Sequence, residues 1–322
     1  MRKVLAGGAA ILLALTVSVV VGSYLLDTRH AYERVRGKSK ILASPFGNIE
    51  YTEGGKGPPV LVIHGGGGGY DQGELVVDAV LGDDFHWITP SRFGYLGSSM
   101  PASATWDEQA HAYAFLLDHL DIERVALVAL SQGGPSALLL AAMYPERVSS
   151  LTCLSCGVVA STSADQAQAN QKGDMLRTVF AHDFTYWFIS KYFKRRLMGV
   201  LGASEAVVAG LTPEERSLIE RIIAYMNPAA PRSAGVVLDN TAPLPGKRIA
   251  SIAAPTLIVH AKDDLLQLYH NAEFAAANIP GAQLMHFETG GHVVVVVQRE
   301  AIGAAIRRHI RLHADTTSLQ VQ

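Results

Sequence analysis

The sequence predicts an α/β fold, a mostly parallel sheet with helices on both faces, interrupted by a helical insertion and preceded by an apolar N-terminal helix. Three observations carry that expectation. Short apolar runs alternate with helix-like stretches from residue 59 onward, the pattern of strands joined by helical crossovers. The alternation stops at Gly157 and resumes at Pro255. Ahead of that break, the apolar run of residues 125–130 leads straight into Ser131-Gln132-Gly133-Gly134, where a strand reverses into a helix.

The elements are taken in chain order. Arg2 and Lys3 precede an uncharged run, residues 4–26, which exceeds the roughly 20 apolar residues needed to cross a bilayer. It reads as a retained membrane anchor. A signal segment cut near Gly22 or Ser23, with export of the rest, is the competing reading. Arg29, Arg34, Arg36, Lys38 and Lys40 favour a cytoplasmic location for the chain beyond the run, whereas the short Met1-Arg2-Lys3 head favours the reverse, so sidedness stays open.

Residues 41–51 read as a hairpin turning at Gly47-Asn48. Residues 59–64 form a continuous apolar strand of the kind buried on both faces, and residues 85–90 form another. Trp106, Ala110, Tyr113, Leu117 and Leu120 share one face of an amphipathic helix. Next come a strand at 125–130, a helix at 135–144 and a strand at 148–155. Residues 157–248 carry helical stretches at 175–202 and 213–225 and read as a lid. Strands return at 255–260 and 282–287, a helix comes after them at 298–313, and residues 316–322 read as a disordered tail. This divides the chain into a membrane segment (1–26), a first core part (40–156), a helical cap (157–248) and a second core part (249–313).

With 322 residues, 49% of them hydrophobic, the chain can bury one large core with an insertion. A formal net charge of -2 offers no electrostatic footprint for nucleic acid, so the expected partners are a small-molecule substrate and the membrane. Oligomeric state is not legible. Cys153 and Cys156 read as two buried free thiols, because a redox C-x-x-C belongs at a helix start. No pair of histidines has metal-ligand spacing with a carboxylate, so no metal site is expected.

The chemistry centres on Ser131. A serine at so sharp a turn needs small neighbours two positions away, here Ala129 and Gly133. A serine hydroxyl also needs a base, a group orienting that base, and donors for an oxyanion. The base candidate is His292, in Thr289-Gly290-Gly291-His292, just past a strand end. The acid candidates are Asp263 and Asp264, directly after the strand at 255–260. In a parallel sheet the carboxyl ends of strands share one edge, so all these groups arise there. Donors come from the glycine run 65–69 after His64, with the amide of Gln132 as the second. A phosphate loop is excluded because no Gly-Lys-Ser/Thr ends that run, and Tyr70-Asp71-Gln72 comes directly after it.

Over residues 40–313 these motifs resemble the α/β-hydrolase fold superfamily. The matching pieces are His64-Gly65-Gly66, Ser91-Arg92-Phe93-Gly94-Tyr95-Leu96-Gly97-Ser98-Ser99, the Ser131 turn, Asp264 and His292. The resemblance implies an eight-stranded sheet, a mobile cap, no cofactor, and ester hydrolysis through an acyl-enzyme. It also implies Ser131 as nucleophile, His292 as general base, Asp264 as the orienting acid (Asp263 remaining the alternative) and the amides of Gly66 and Gln132 as oxyanion donors. His64 and Gly65 would support the loop. Three departures are notable: Ser91 where aspartate usually begins its motif, Ala129 for a glycine, and Ala261 for a glycine with Gln267-Leu268 where Val-Pro often comes next.

Aminopeptidase and carbon-carbon bond hydrolase chemistry use the same triad and remain alternatives, as does a non-catalytic binding protein on this fold. Dehalogenase chemistry is disfavoured because it needs a carboxylate at position 131. The aromatics Phe180, Phe184, Tyr186, Trp187, Phe188, Tyr192 and Phe193 are read as packing the lid. An apolar ligand pocket, with Lys191, Lys194, Arg195 and Arg196 against lipid headgroups, is the functional alternative.

Overall fold

The computed structural model describes residues 2–314, so the expected disordered tail lies outside it. Helix α1 (Arg2–Val35) opens the chain. Its segment Ile11–Val35 is long and apolar enough to cross a membrane. The helix runs past the end of the uncharged run at residue 26, because its last three turns pack against the body. Tyr32 donates to Asp183 (2.9 Å), and the hydroxyl of Tyr70 donates to the Val35 carbonyl (2.9 Å).

Strands β1 (Lys40–Ser44) and β2 (Gly47–Gly54) form the expected hairpin, but the turn falls at Pro45-Phe46 and Gly47 pairs with Ser44. Proline pre-sets the first turn dihedral, and the Ser44 hydroxyl accepts from the Phe46 amide while donating to the Gly47 carbonyl. Then come β3 (Pro59–Ile63), α2 (Tyr70–Val76), β4 (His86–Pro90), α3 (Trp106–His119), β5 (Val125–Leu130), α4 (Gly134–Met143) and β6 (Val148–Leu154). The α3 start is capped by Thr105, whose hydroxyl accepts from the Glu108 amide.

The insertion holds α5 (Ala164–Phe180), α6 (Asp183–Tyr192), α7 (Lys194–Val200), α8 (Glu205–Gly210), α9 (Pro213–Tyr225) and α10 (Ser233–Thr241). The stretch 175–202 is therefore not one helix. It breaks at His182, which is extended, and at Phe193, freeing the Asp183 carboxylate at the head of α6 to accept from Tyr32 and from the Ala230 amide. A capping box of Thr212 and Glu215, with Pro213 in the first turn, starts α9 where the sequence places it. The chain closes with β7 (Thr256–Ala261), α11 (His270–Asn278), β8 (Gln283–Phe287), α12 (Val294–Val297) and α13 (Arg299–His313).

The eight strands lie in the order β1-β2-β4-β3-β5-β6-β7-β8, with antiparallel pairing only at β1-β2 and β2-β4. Each face carries its own core. One is built on Leu61, Leu127, Leu138 and Ile258, the other on Val60, Val128, Val259, Ile302 and Ile306. This explains why β5 and β6 are apolar without alternation. The cap has a third cluster around Tyr186, Leu197, Ile219 and Ile223. Cys153 and Cys156 are both buried and free. The strand ends at Leu154 and Ser155 takes φ +48°, and the two thiols share one core.

Candidate active site

Ser131 comes directly after the last residue of β5 and holds φ +51°, a left-handed conformation strained for a residue with a side chain. The strain is imposed by packing on both sides. A β-carbon at Gly133 would lie 2.6 Å from the His64 carbonyl oxygen and 2.7 Å from that of Ile63, so no other residue closes the turn. Ala129 sits inside the core, where its methyl fits. Its carbonyl accepts from the Cys156 thiol (3.3 Å).

Three side chains from distant parts of the chain meet at this turn. The Ser131 hydroxyl oxygen lies 2.9 Å from His292 Nε2, and His292 Nδ1 lies 2.8 Å from Asp264 Oδ2. With Nδ1–H donating to the carboxylate, Nε2 is an acceptor facing the Ser131 hydroxyl. Gly290 (φ +139°) bends the chain into the turn that carries the imidazole. The cap steadies that turn, since the His292 amide donates to the Gly202 carbonyl (3.2 Å).

Asp264 is buried, and its other oxygen accepts from the amides of Leu266 (2.9 Å) and Gln267 (3.0 Å). Burial by itself raises a carboxyl pKa; here the adjacent His292 and His260 outweigh it and hold Asp264 below the usual carboxylate range. The neighbouring Asp263 is used differently, accepting from the Gly291 amide at 2.7 Å.

The glycine run lies across from Ser131. A β-carbon at Gly65 would sit 3.3 Å from that of Ser131, a crowded contact that glycine avoids. Gly66 and Gln132 flank the same cavity as Ser131 and His292. The loop is held from behind. Gln72 accepts from the Gly65 amide (2.8 Å), His64 Nδ1–H donates to the Gly65 carbonyl (2.7 Å), and His64 Nε2 accepts from the Arg92 amide (2.9 Å). Burial, with the Arg92 charge beside it, pushes the His64 imidazole well below its ordinary pKa, so it stays neutral.

Several side chains in this scaffold have no role assigned from sequence. Arg92 donates to the carbonyls of His64 and Gly65 (3.1 Å each) and grips Asp239 on α10. The Tyr95 hydroxyl donates to the same carboxylate (2.6 Å). Asp71 on α2 accepts from the buried Arg232 at 3.0 and 2.8 Å, and Arg34 from α1 reaches it too. Glu50 supplies the carboxylate missing at position 91: it accepts from the Ser91 hydroxyl (2.7 Å) and from the Gly97 amide (2.9 Å). Arg92 and Tyr95 lie within a motif already singled out, whereas Asp71, Arg232 and Asp239 are far apart in sequence and carry no local pattern.

A cavity of about 160 Å³ joins these groups to the cap. Beyond Ser131 and His292 its walls are mostly aliphatic: Leu75 and Val76 of α2, Ile219, Ile222 and Ile223 of α9, and Val295 and Val296 of α12. Of the lid aromatics only Phe180 lines it. Trp187 and Phe184 pack instead on Tyr24 of α1, with ring centroids 5.3 and 5.2 Å away. No group of three or more His, Cys, Asp or Glu able to hold a metal ion is found among the described residues.

Comparison with known proteins places this geometry in context. The model of the alpha/beta hydrolase fold family matches residues 58–298. The uncharacterized hydrolase YcgS of Bacillus subtilis (strain 168) is 30% identical over 77% of this chain and 89% of its own length. Lipase 3 of Moraxella sp. (strain TA144) is 28% identical over 82% of each chain. Among solved structures, a bacterial membrane phospholipase A superposes with a TM-score of 0.68 at 20% identity, covering 98% of this chain and 100% of that one, a likeness of fold.

Proposed function

The chain belongs to the α/β-hydrolase fold family, and from that premise we propose that it cleaves carboxylic esters of apolar acyl groups through an acyl-enzyme formed on Ser131. The observation that carries this reading is the continuous chain from the Ser131 hydroxyl through His292 to Asp264, at 2.9 and 2.8 Å. His292 Nε2 takes the hydroxyl proton as Ser131 Oγ attacks the ester carbonyl. The oxyanion that forms is received by the amides of Gly66 and Gln132. As the tetrahedral intermediate collapses, His292 returns the proton to the departing alkoxide, leaving the acyl group on Ser131. A water then repeats the sequence against the acyl-enzyme, releasing the carboxylic acid and free serine. Asp264 stays ionised throughout, fixing the tautomer and balancing the imidazolium.

The walls of the cavity support an apolar acyl group, since aliphatic side chains recognise hydrocarbon by removing it from water. They weigh against an aminopeptidase, which needs a carboxylate for its substrate's ammonium group. Asp239 borders the cavity, but Arg92 holds both of its oxygens. In the same reading α1 is retained as a membrane anchor, because its later turns are built into the fold. Asp27 accepts from the Trp187 indole and Tyr32 donates to Asp183, and a cut near Ser23 would leave these contacts at a frayed helix start.

A panel of p-nitrophenyl esters of increasing acyl length, run beside aminoacyl anilides, tests the assignment. Turnover of the esters is expected, with kcat/KM rising with acyl length. Turnover of the anilides alone would assign the site to amide chemistry.

A further inference from the structure

Helix α6 runs back along α1. Asp183 meets Tyr32 (2.9 Å), Trp187 meets Asp27 (2.8 Å) and Lys191 meets Ser23 (2.5 Å). That interval is nine residue steps on α1 and eight on α6, about 13.5 and 12 Å at 1.5 Å per residue, so the helices stay in step. The C-terminal end of α6 therefore reaches the level of Ser23, inside the uncharged run of residues 4–26.

The residues at that end are unusual for a water-facing corner. Tyr192 and Phe193 are 47% and 42% exposed, and Phe184 is 45% exposed. They belong to one aromatic ladder that starts on α1: Tyr24 to Phe184, Phe184 to Phe188, and Phe188 to both Tyr192 and Phe193, with centroids 5.1–5.9 Å apart. Arg195 and Arg196 come next at the surface, and the Arg196 guanidinium lies 5.8 Å from the centre of the Phe193 ring. Lys191 and Lys194 are each paired, with Asp27 and Glu220. Aromatic rings edged by arginine suit the headgroup layer of a bilayer, where amphipathic rings settle and basic groups meet anionic lipid.

We propose that the α6–α7 corner of the cap, Tyr192 to Arg196, is a second membrane contact seated in the headgroup layer of an anionic phospholipid surface. The proposal rests on the reading of α1 as an anchor, which fixes the height of this corner. It has a consequence for the site. Met198 and Leu201, at and just beyond the end of α7, line the catalytic cavity, so the cavity wall stands about one helical turn from lipid.

The test uses the full chain in bilayers of phosphatidylcholine with phosphatidylglycerol. Single cysteines at exposed positions, Phe193→Cys, Leu25→Cys and Leu312→Cys, carry an environment-sensitive fluorophore; the native Cys153 and Cys156 are buried. A nitroxide on the lipid acyl chain is the quencher. Quenching at 193 and 25 several-fold above that at 312, and weaker at 193 when phosphatidylglycerol is omitted, is the expected result. Quenching at 25 without quenching at 193 overturns the docking corner while leaving the anchor. Quenching at neither position overturns the anchor and the corner together, and equal quenching at 193 with and without phosphatidylglycerol overturns the anionic preference.

Discussion

Arg92 holds both oxygens of Asp239, at 2.6 and 2.8 Å, and so ties the backbone behind the glycine run to the last helix of the cap. Both side chains are almost wholly shielded from water. Removing one partner leaves a buried charge alone, which costs roughly 3–5 kcal/mol, whereas replacing both with apolar groups costs much less. Arg92→Ala is therefore expected to lower the Tm sharply. The double variant Arg92→Met with Asp239→Leu is expected to recover much of that Tm but little activity, because the carbonyls of His64 and Gly65 lose their donor. Calorimetry and ester turnover on the same preparations check this.

A second buried carboxylate, Asp71, binds Arg232 from the cap and Arg34 from α1. Arg232 is fully buried, while the Arg34 side chain is 23% exposed. Asp71→Ala strands Arg232 and is expected to cost roughly 3–5 kcal/mol. Arg34→Ala leaves the inner pair intact but also strips a donor from the Tyr225 and Asn227 carbonyls, and is expected to cost less than Asp71→Ala, roughly 1–3 kcal/mol. Urea midpoints of the two variants check the ordering.

The adjacent aspartates have different partners, Asp264 the His292 imidazole and Asp263 the Gly291 amide. Asp264→Asn keeps the shape but favours the wrong imidazole tautomer, and kcat is expected to fall roughly 10³- to 10⁴-fold. Asp263→Asn keeps an oxygen that can accept from the Gly291 amide and removes only the charge, so a loss below about tenfold is expected. Steady-state kinetics with one good ester distinguish them.

Acyl preference should track the aliphatic wall. Ile222→Trp narrows the cavity from a half-buried position on α9. It is expected to lower kcat/KM for long acyl esters by about tenfold or more while sparing the acetyl ester. The ratio of the two across a chain-length series is the readout.

Burial pushes the pKa of His64 well below its ordinary value, and the nearby Arg92 adds to the shift. In the unfolded chain this imidazole takes up a proton near pH 6.5, so below that pH the unfolded state binds the extra proton and the folded state does not. The stabilising contribution is thus full above about pH 6.5 and is lost as pH falls towards the folded-state pKa, at up to about 1.4 kcal/mol per pH unit. His64→Gln should flatten the fall of Tm between neutral and mildly acidic pH. His309, shifted the same way by burial, should leave a residual slope.

Much of the fold is legible because a doubly buried parallel strand leaves an unbroken apolar run, as at 125–130, and because strong caps such as Thr212-Pro213 mark helix starts. The hairpin turn is misplaced from sequence because Gly47-Asn48 is the stronger local signal, while Pro45 and the Ser44 hydroxyl set the geometry. The breaks within 175–202 depend on the Asp183 carboxylate meeting Tyr32 and Ala230, partners far away in sequence. At the site, Ser131, Asp264 and His292 stand at strand ends where position alone suggests chemistry. The Arg92–Asp239 and Asp71–Arg232 pairs have no such marker, since each joins core to cap across more than 140 residues. For the same reason the packing of the lid aromatics onto Tyr24 cannot be read from spacing.

The most direct test of the proposed chemistry is mass spectrometry of the intact protein and its peptides after reaction with a fluorophosphonate. One phosphonyl group per chain, located on Ser131, absent in Ser131→Ala and added far more slowly in His292→Ala, is the expected result. A label on another serine, or one that persists in Ser131→Ala, would contradict it.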